Sequence, residues 1–184
     1  MEYKNEYDKD GADITDGKRA EANFSRLFKQ RFGIDPIKSQ TEYDKHNHID
    51  FFMLVSGHQA SVDVKSWKGE KDFVWIELVS YGKLGWLYGD ADYIAFENPD
   101  EKGFTMVKRE NLMYLVKCTC VPEFTTDVRD SAYRMYVRQK GVTGNFDVVT
   151  KIARSLLENT KPWVLGEKYE MADNSNNADC VSAS

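Results

Sequence analysis

The sequence predicts an α/β (α+β) fold, in which a central mixed β-sheet is flanked by helices within one domain. A chain of 184 residues with 41% hydrophobic and 13% aromatic residues can bury one substantial core and is short for two. A helical pattern opens the chain, several apolar segments typical of strands follow, and helical patterns return later. This order is typical of helices packed on a sheet.

The first element is predicted to be a helix. Residues 1–16 carry a net charge of −4 with few apolar side chains, which predicts an acidic N-terminal arm. Thr15 or Asp16 can cap a helix over about 18–32, and Gly33 is expected to end it.

Apolar segments bounded by turn residues predict the strands. The segment SGH at 56–58 has the composition of a hairpin turn between two of them. The predicted strands are PIKSQT (36–41), IDFFMLV (49–55), QASVDVKSW (59–67), DFVWIELVS (72–80), ADYIAF (91–96), GFTMVKR (103–109) and FDVVTKIA (146–153). Helices are predicted in RENLMYLVKC (109–118) and in part of VRDSAYRMYVRQK (128–140). Residues 171–184 lack an apolar pattern and predict a disordered tail, so the folded domain is expected over 17–170.

Composition argues against several classes of protein. No run of 18 apolar residues and no secretory leader are present, so neither a membrane span nor secretion is expected. Cys118, Cys120 and Cys180 make neither a disulfide framework nor a four-ligand zinc site. We therefore expect a protein of the reducing cytoplasm.

The net charge of −5 is unevenly distributed. The acidic residues concentrate in 1–16 and 167–184, which leaves a net charge of +2 between them. Residues 128–154 carry a net charge of +4 with aromatic residues interleaved, a pattern that could follow a phosphate backbone. The candidate nucleic-acid contacts are Arg134, Arg138 and Lys140. A solvated basic face explains the same pattern equally well.

The segment SVDVKSW (61–67) holds an acid and a base two residues apart on a predicted strand. Because successive side chains of a strand alternate between faces, Asp63 and Lys65 are expected to share one face. An ordinary solvent-facing pair is the alternative, since such pairs keep sheets soluble.

Asp50 opens the apolar strand 49–55. A short hairpin brings the start of one strand beside the later part of its antiparallel partner, so Asp50 and Asp63 can meet. Two carboxylates beside a lysine suit a hard cation such as Mg²⁺, which also accepts phosphate oxygens. The alternative is that Asp50 only ends a loop.

Two glutamates interrupt apolar faces. Glu21 lies on the apolar stripe of the first helix and calls for a positive partner or a metal, unless it reaches solvent at the stripe's edge. Glu77 lies within the apolar strand 72–80 and is either a further acid of the metal site or a residue of a solvated sheet face.

A zinc site of the H-x-H-x-D kind is a weaker interpretation of HNHID (46–50). Only His58 remains in addition to His46 and His48, and three histidines cannot furnish the dinuclear site.

A helix glutamate, an aspartate that opens a strand, and DVK (63–65) on the next strand resemble the PD-(D/E)XK nuclease superfamily, whose fold is the restriction-endonuclease-like core also found in Holliday junction resolvases. The resemblance covers roughly residues 18–97. It implies Asp50, Asp63 and Glu21 as metal ligands and Lys65 as the catalytic lysine. Ile49 stands where the superfamily motif has proline.

The resemblance implies a Mg²⁺-dependent endonuclease acting on DNA, with Mn²⁺ as a substitute. The segment WIELVSYGKLGWLYGDADYIAFE (75–97) resembles phage-borne proteins of this type, which would place the protein in a host cytoplasm. Two alternatives stay open: a catalytically silent nucleic-acid-binding or assembly protein on the same fold, and an RNA-directed nuclease. Many such enzymes act as homodimers, but no segment of the sequence identifies a symmetric interface.

Overall fold

The computed structural model describes residues 12–40, 47–55, 57–100, 102–140 and 145–166. Its α-helices are α1 (Ala12–Phe32) and α2 (Arg109–Thr119), and short 3₁₀ helices cover Trp86–Tyr88, Val128–Asp130 and Arg154–Thr160. The strands are β1 (Ile37–Lys38), β2 (Phe51–Val55), β3 (His58–Lys65), β4 (Phe73–Ser80), β5 (Lys83–Leu84), β6 (Tyr93–Glu97), β7 (Gly103–Lys108), β8 (Phe124–Thr125), β9 (Met135–Lys140), β10 (Asn145–Ala153) and β11 (Trp163–Gly166). Within these ranges, no helix has the length and apolarity needed to cross a bilayer.

The first sheet has six strands in the order β1-β2-β3-β6-β7-β11. All neighbours are antiparallel except β3 and β6, which run parallel. Asp92 fastens the start of β6 to β3, because its Oδ2 accepts hydrogen bonds from the Ser61 backbone N–H at 2.7 Å and from Ser61 Oγ at 2.8 Å. The sheet is therefore mixed, as the sequence predicts.

The second sheet has five strands in the order β5-β4-β10-β9-β8. Its strands come from two separate parts of the chain: β4 and β5 lie between β3 and β6 in sequence, and β8, β9 and β10 lie between β7 and β11. The chain thus enters the second sheet twice and returns to the first sheet each time.

The first sheet is covered on both faces. The apolar stripe of α1, with Phe24 and Phe28 at its centre, packs on one face against Val62 and Val64 of β3. The opposite face, with Ile94 and Phe96, packs against the second sheet and α2. Since Val62 and Val64 point toward α1, the alternation of the strand turns Asp63 and Lys65 toward the second sheet.

A buried ion pair joins α1 to the end of β6. Arg19 Nη1 and Nη2 each lie 2.8 Å from an oxygen of the Glu97 carboxylate, whose residue is fully buried. The Trp67 backbone N–H also donates to Glu97 Oε2 at 3.1 Å. This network fixes the helix over the end of the sheet where Lys65 lies.

Two expectations for secondary structure are wrong. Helix α1 begins at Ala12, so residues 12–16 are helical and not part of an arm, and Thr15 and Asp16 lie inside the helix. The helix continues through Gly17 because one glycine costs only about 1 kcal/mol relative to alanine. Residues 135–140 form strand β9, which pairs with β10, while the expected helix is limited to the short turn at Val128–Asp130.

Residues 1–11 and 167–184, and with them the predicted tail at 171–184 and most of the acidic arm, lie outside the described residues.

We predict that Arg19→Met destabilises the protein because it leaves the buried Glu97 carboxylate without its cation. Breaking a buried pair costs about 3–5 kcal/mol, and the 37% exposure of the Arg19 side chain places the expected loss at or below about 3 kcal/mol. Adding Glu97→Gln should restore part of the loss. Urea denaturation measures each variant, and Lys29→Met, which breaks an exposed pair with Asp35, is the matched control. Equal losses in Arg19→Met and Lys29→Met would contradict the assigned role of the Arg19–Glu97 pair.

Candidate active site

The β2–β3 hairpin brings two carboxylates together. Phe51 pairs with Val62 in the antiparallel register, and the adjoining Asp50 lies close enough to Asp63 to raise the pKa of that residue. Asp50 also donates its backbone N–H to the Val62 carbonyl oxygen at 2.9 Å. Like charges in this position destabilise a sheet, which makes a purely structural purpose for the pair unfavourable.

Asp50 is held by the backbone of the neighbouring strand. Its Oδ2 accepts a hydrogen bond from the Val64 backbone N–H at 2.7 Å, and the residue is 6% exposed. Its backbone oxygen also accepts from the Ser39 N–H at 2.8 Å, which ties β1 to the start of β2. One carboxylate oxygen is therefore fixed on the backbone, and the Oδ1 oxygen is turned toward Lys38.

Asp63 is 3% exposed, which excludes the solvent-facing alternative for this residue. Its Oδ1 lies 2.7 Å from Lys65 Nζ, but its buried Oδ2 has no hydrogen-bond donor. Burial raises the pKa of Asp63, Lys65 opposes the shift and the nearby Asp50 carboxylate adds to it, and the net result is a pKa of about 8. Lys65 thus satisfies only one oxygen of Asp63, and a proton or a cation at Oδ2 would satisfy the other.

Lys65 lies between an acid and an aromatic ring. Its Nζ pairs with Asp63 and sits 4.9 Å from the centre of the Trp86 ring. Burial lowers the pKa of Lys65, but the charges of Asp63, Asp50 and Glu77 outweigh burial and raise it above its usual value. Lys65 is therefore protonated at neutral pH.

Glu77 belongs to β4 of the second sheet and is half-buried. Its charge contributes to the raised pKa of Lys65, so the carboxylate is within electrostatic range of the amine. Gly85 permits this arrangement, because a Cβ at position 85 would lie 2.5 Å from the Glu77 backbone oxygen and 2.9 Å from its Cγ. Glu77 alternates along β4 with the buried Val74, Ile76 and Leu78 and therefore lies on the half-exposed face of the strand.

Glu21 has the positive partner that its place on the apolar stripe calls for. Its Oε2 lies 2.5 Å from Nζ of Lys38 on β1. The same Nζ lies 3.7 Å from Asp50 Oδ1, so Glu21 is joined to the two aspartates through a lysine and not directly. The sequence pattern did not single out Lys38, which lies in PIKSQT, a segment predicted only as a short strand.

The two aspartates form a donor set suited to a divalent cation. Asp50 and Asp63 offer two adjacent carboxylates, and the buried Asp63 Oδ2 is an acceptor that lacks a donor. Mg²⁺ commonly takes one or two protein carboxylates and completes its shell with water and phosphate oxygens, so these two acids fit it. Across the described ranges, no three His, Cys, Asp or Glu side chains are grouped to hold a metal, so the expected triad with Glu21 is not assembled.

The basic segment is largely engaged within the protein. Arg138 Nη2 lies 2.7 Å from Oδ2 of Asp147, which is fully buried, and the Tyr81 backbone N–H donates to Asp147 Oδ1. Arg134 Nε pairs with the exposed Glu123 at 3.2 Å. Lys140 ends β9, opposite Asn145 in the register. Arg138 therefore holds the second sheet together, whereas the Arg134 pair is exposed and easily exchanged.

Of the two histidines of HNHID, only His48 lies within the described residues. His48 has a left-handed backbone with φ of 53° and packs beside Gly89, where an added Cβ would lie 2.9 Å from the His48 Cβ. His46 lies outside the described residues.

Comparisons with family models, with curated proteins and with solved structures gave no match to this chain.

We predict that Asp63→Asn gains stability relative to the wild type as the pH rises. The pKa of Asp63 is about 8 in the folded protein against an ordinary value of 3.8. Between these two pH values, the folded state holds a proton on Asp63 that the unfolded state has lost. The stability from that proton is complete below the lower pKa and is lost as the pH rises through the higher one. Urea denaturation in chelator from pH 4 to 9 measures the difference, with the exposed Asp35→Asn as the control. A difference that stays constant over the range would contradict the assigned pKa.

Proposed function

We propose that this protein is a divalent-metal-dependent endonuclease that hydrolyses phosphodiester bonds in DNA. The observation that carries the proposal is the buried pair Asp50 and Asp63, with one oxygen lacking a donor and with Lys65 at 2.7 Å. The same residues carry the resemblance to the PD-(D/E)XK superfamily. The mixed sheet, with α1 on one face and the acids at the start of a hairpin, is compatible with that resemblance.

Asp50 and Asp63 are the residues that would hold Mg²⁺ or Mn²⁺, which supplies positive charge to a scissile phosphate and polarises it. The two aspartates are fixed by the hairpin register and by the Val64 N–H, so little reorganisation is needed to present their oxygens. Asp63 must give up its proton to act as a ligand, so metal binding would release a proton from this residue.

Lys65 acts as a cation in this proposal. Because its pKa is raised, it is a poor general base at neutral pH, and the alternative role in which it deprotonates water is disfavoured. Its ammonium can instead donate to the attacking water or to a phosphate oxygen whose negative charge grows in the transition state. Hydrolysis adds water across one P–O bond, and the departing sugar oxygen takes up a proton.

The proposal of DNA as the substrate rests on the resemblance more than on the charge. The body of the chain has a net charge of only +2, and Arg138 is occupied by Asp147. Arg134 can exchange Glu123 for a phosphate because both side chains are about half exposed. Phosphate contacts from this segment are therefore expected to depend on Arg134 and Lys140.

A catalytically silent nucleic-acid-binding protein is the second candidate, and Lys38 is the observation that favours it. A lysine already supplies the positive charge between Glu21 and Asp50, and the described residues contain no third acid grouped with the two aspartates. In a protein that binds no metal, this ion pair would stabilise the two carboxylates in place of a metal ion.

Cleavage assays separate the two candidates. The purified protein is incubated with duplex, single-stranded and branched DNA and with RNA, in Mg²⁺, in Mn²⁺ and in chelator. Metal-dependent cleavage of DNA supports the nuclease, and cleavage of RNA alone would assign an RNA-directed nuclease. Binding without cleavage in any metal supports the silent protein.

We predict that Asp50→Ala and Asp63→Ala abolish cleavage and that Lys65→Ala lowers it by about 10²–10³-fold while metal binding persists. The reason is that the aspartates supply ligands, whereas the lysine supplies charge to the reacting phosphate. Rates are measured under single-turnover conditions, and circular dichroism confirms that each variant is folded. Asp35→Ala and Lys83→Ala remove exposed charges of the same types and should leave the rate unchanged. Full activity in Asp63→Ala would refute the proposal.

A further inference from the structure

The ion pair of Lys38 occupies the space between two acids that belong to different elements. Its Nζ lies 2.5 Å from Glu21 Oε2 on α1 and 3.7 Å from Asp50 Oδ1 at the start of β2. It also sits 4.6 Å from the centre of the Phe51 ring, which favours a cation at that point. A single positive charge thus serves both carboxylates.

A cation that contacted Glu21 and Asp50 together would have to take the position of this ammonium. Two positive groups cannot share that space, because like charges a few ångströms apart repel by about 1 kcal/mol or more even in water. Lys38 and a divalent cation bound by both acids are therefore mutually exclusive partners of Glu21.

We propose that Lys38 is an internal competitor for the metal, which keeps Glu21 occupied until a divalent cation displaces the ammonium. This inference rests on the proposed function, since it concerns the same acid pair. Glu21 then becomes the third carboxylate of the site only when Lys38 moves away. The absence of a three-acid group among the described residues is explained by the lysine that holds one acid apart.

The surroundings of Lys38 permit this exchange. Its backbone is fixed, because Lys38 pairs with Phe51 in the β1–β2 register and Ser39 bonds to the backbone oxygens of Ile49 and Asp50. Its side chain is 45% exposed and lies on the edge strand of the sheet, so a change of rotamer moves the ammonium into solvent. Glu21 is 25% exposed and accessible from the same side.

Competition predicts that Lys38→Met lowers the melting temperature without metal and enlarges the gain in melting temperature when metal is added. Without metal, Glu21 and Asp50 repel each other and the variant should melt at a lower temperature than the wild type in chelator. With saturating Mg²⁺ or Mn²⁺, the variant should gain more thermal stability than the wild type does, because its metal affinity is higher. A lysine with a merely structural role would lower the melting temperature by the same amount in both conditions.

Calorimetric titration of Mn²⁺ into the full chain measures the competition directly. We expect Lys38→Met to bind the metal about tenfold more tightly than the wild type. Lys38→Arg, which keeps the charge and can keep the pair with Glu21, should bind nearly as the wild type does. Lys29→Met removes an exposed, paired lysine at the other end of α1 and should leave affinity unchanged.

A double-mutant cycle with Glu21→Gln separates competition from simple repulsion. If Lys38 competes for Glu21, the gain from Lys38→Met should shrink at least severalfold when Glu21 is already glutamine. An equal gain in both backgrounds would overturn the inference and reduce Lys38 to a nearby repelling charge.

The metal titration also distinguishes failure of the inference from failure of the proposed function. Tight binding by the wild type with no change in Lys38→Met overturns the competitor role and leaves the metal site intact. Binding that appears only in Lys38→Met supports the competitor role. Binding by neither protein overturns both the competitor role and the proposed metal-dependent function.

Discussion

Two carboxylates lie close together at the open end of the β2–β3 hairpin, in a place from which water is nearly excluded. Asp50 and Asp63 are 6% and 3% exposed, so neither can be stabilised by solvent. The residues around them compensate this concentration of negative charge: Val64 provides a backbone N–H, Lys65 an ammonium on one side, and Lys38 an ammonium on the other. One oxygen of the pair, Asp63 Oδ2, has no hydrogen-bond donor. This unsatisfied oxygen is the basis of the proposed chemistry.

Five of the six described strands of the first sheet could be predicted from the sequence because each has a local pattern, whereas Trp163–Gly166 was not among the predicted strands. Segment 49–55 is an almost continuous apolar run and segment 59–67 alternates apolar and polar residues, with a turn between them, and the structure pairs the two as a hairpin. The strand at 135–140 could not be predicted, since its basic and amide residues suit a helix locally. Pairing with β10 determines its conformation, and such pairing is not visible in a window of seven residues.

In the site too, a contact within one hairpin could be predicted, whereas contacts between distant elements could not. The juxtaposition of Asp50 and Asp63 follows from hairpin geometry alone, so thirteen residues of sequence were sufficient to predict it. The apolar stripe of α1 likewise indicated that Glu21 needs a cation. That the cation is Lys38, and that Glu77 reaches the field of Lys65, depends on contacts between elements with no fixed spacing in sequence.

Because the chain enters the second sheet twice, the two sheets depend on each other during unfolding and after proteolysis. Neither sheet is built from one continuous stretch of sequence, so no cut in a single connection separates the strands of one sheet from the strands of the other. The parallel pairing of β3 with β6 also cannot form until the excursion through β4 and β5 has been closed, which makes for slow, non-local folding. Both sheets should therefore be lost in one cooperative transition, and a protease that nicks a surface connection should leave the two pieces associated.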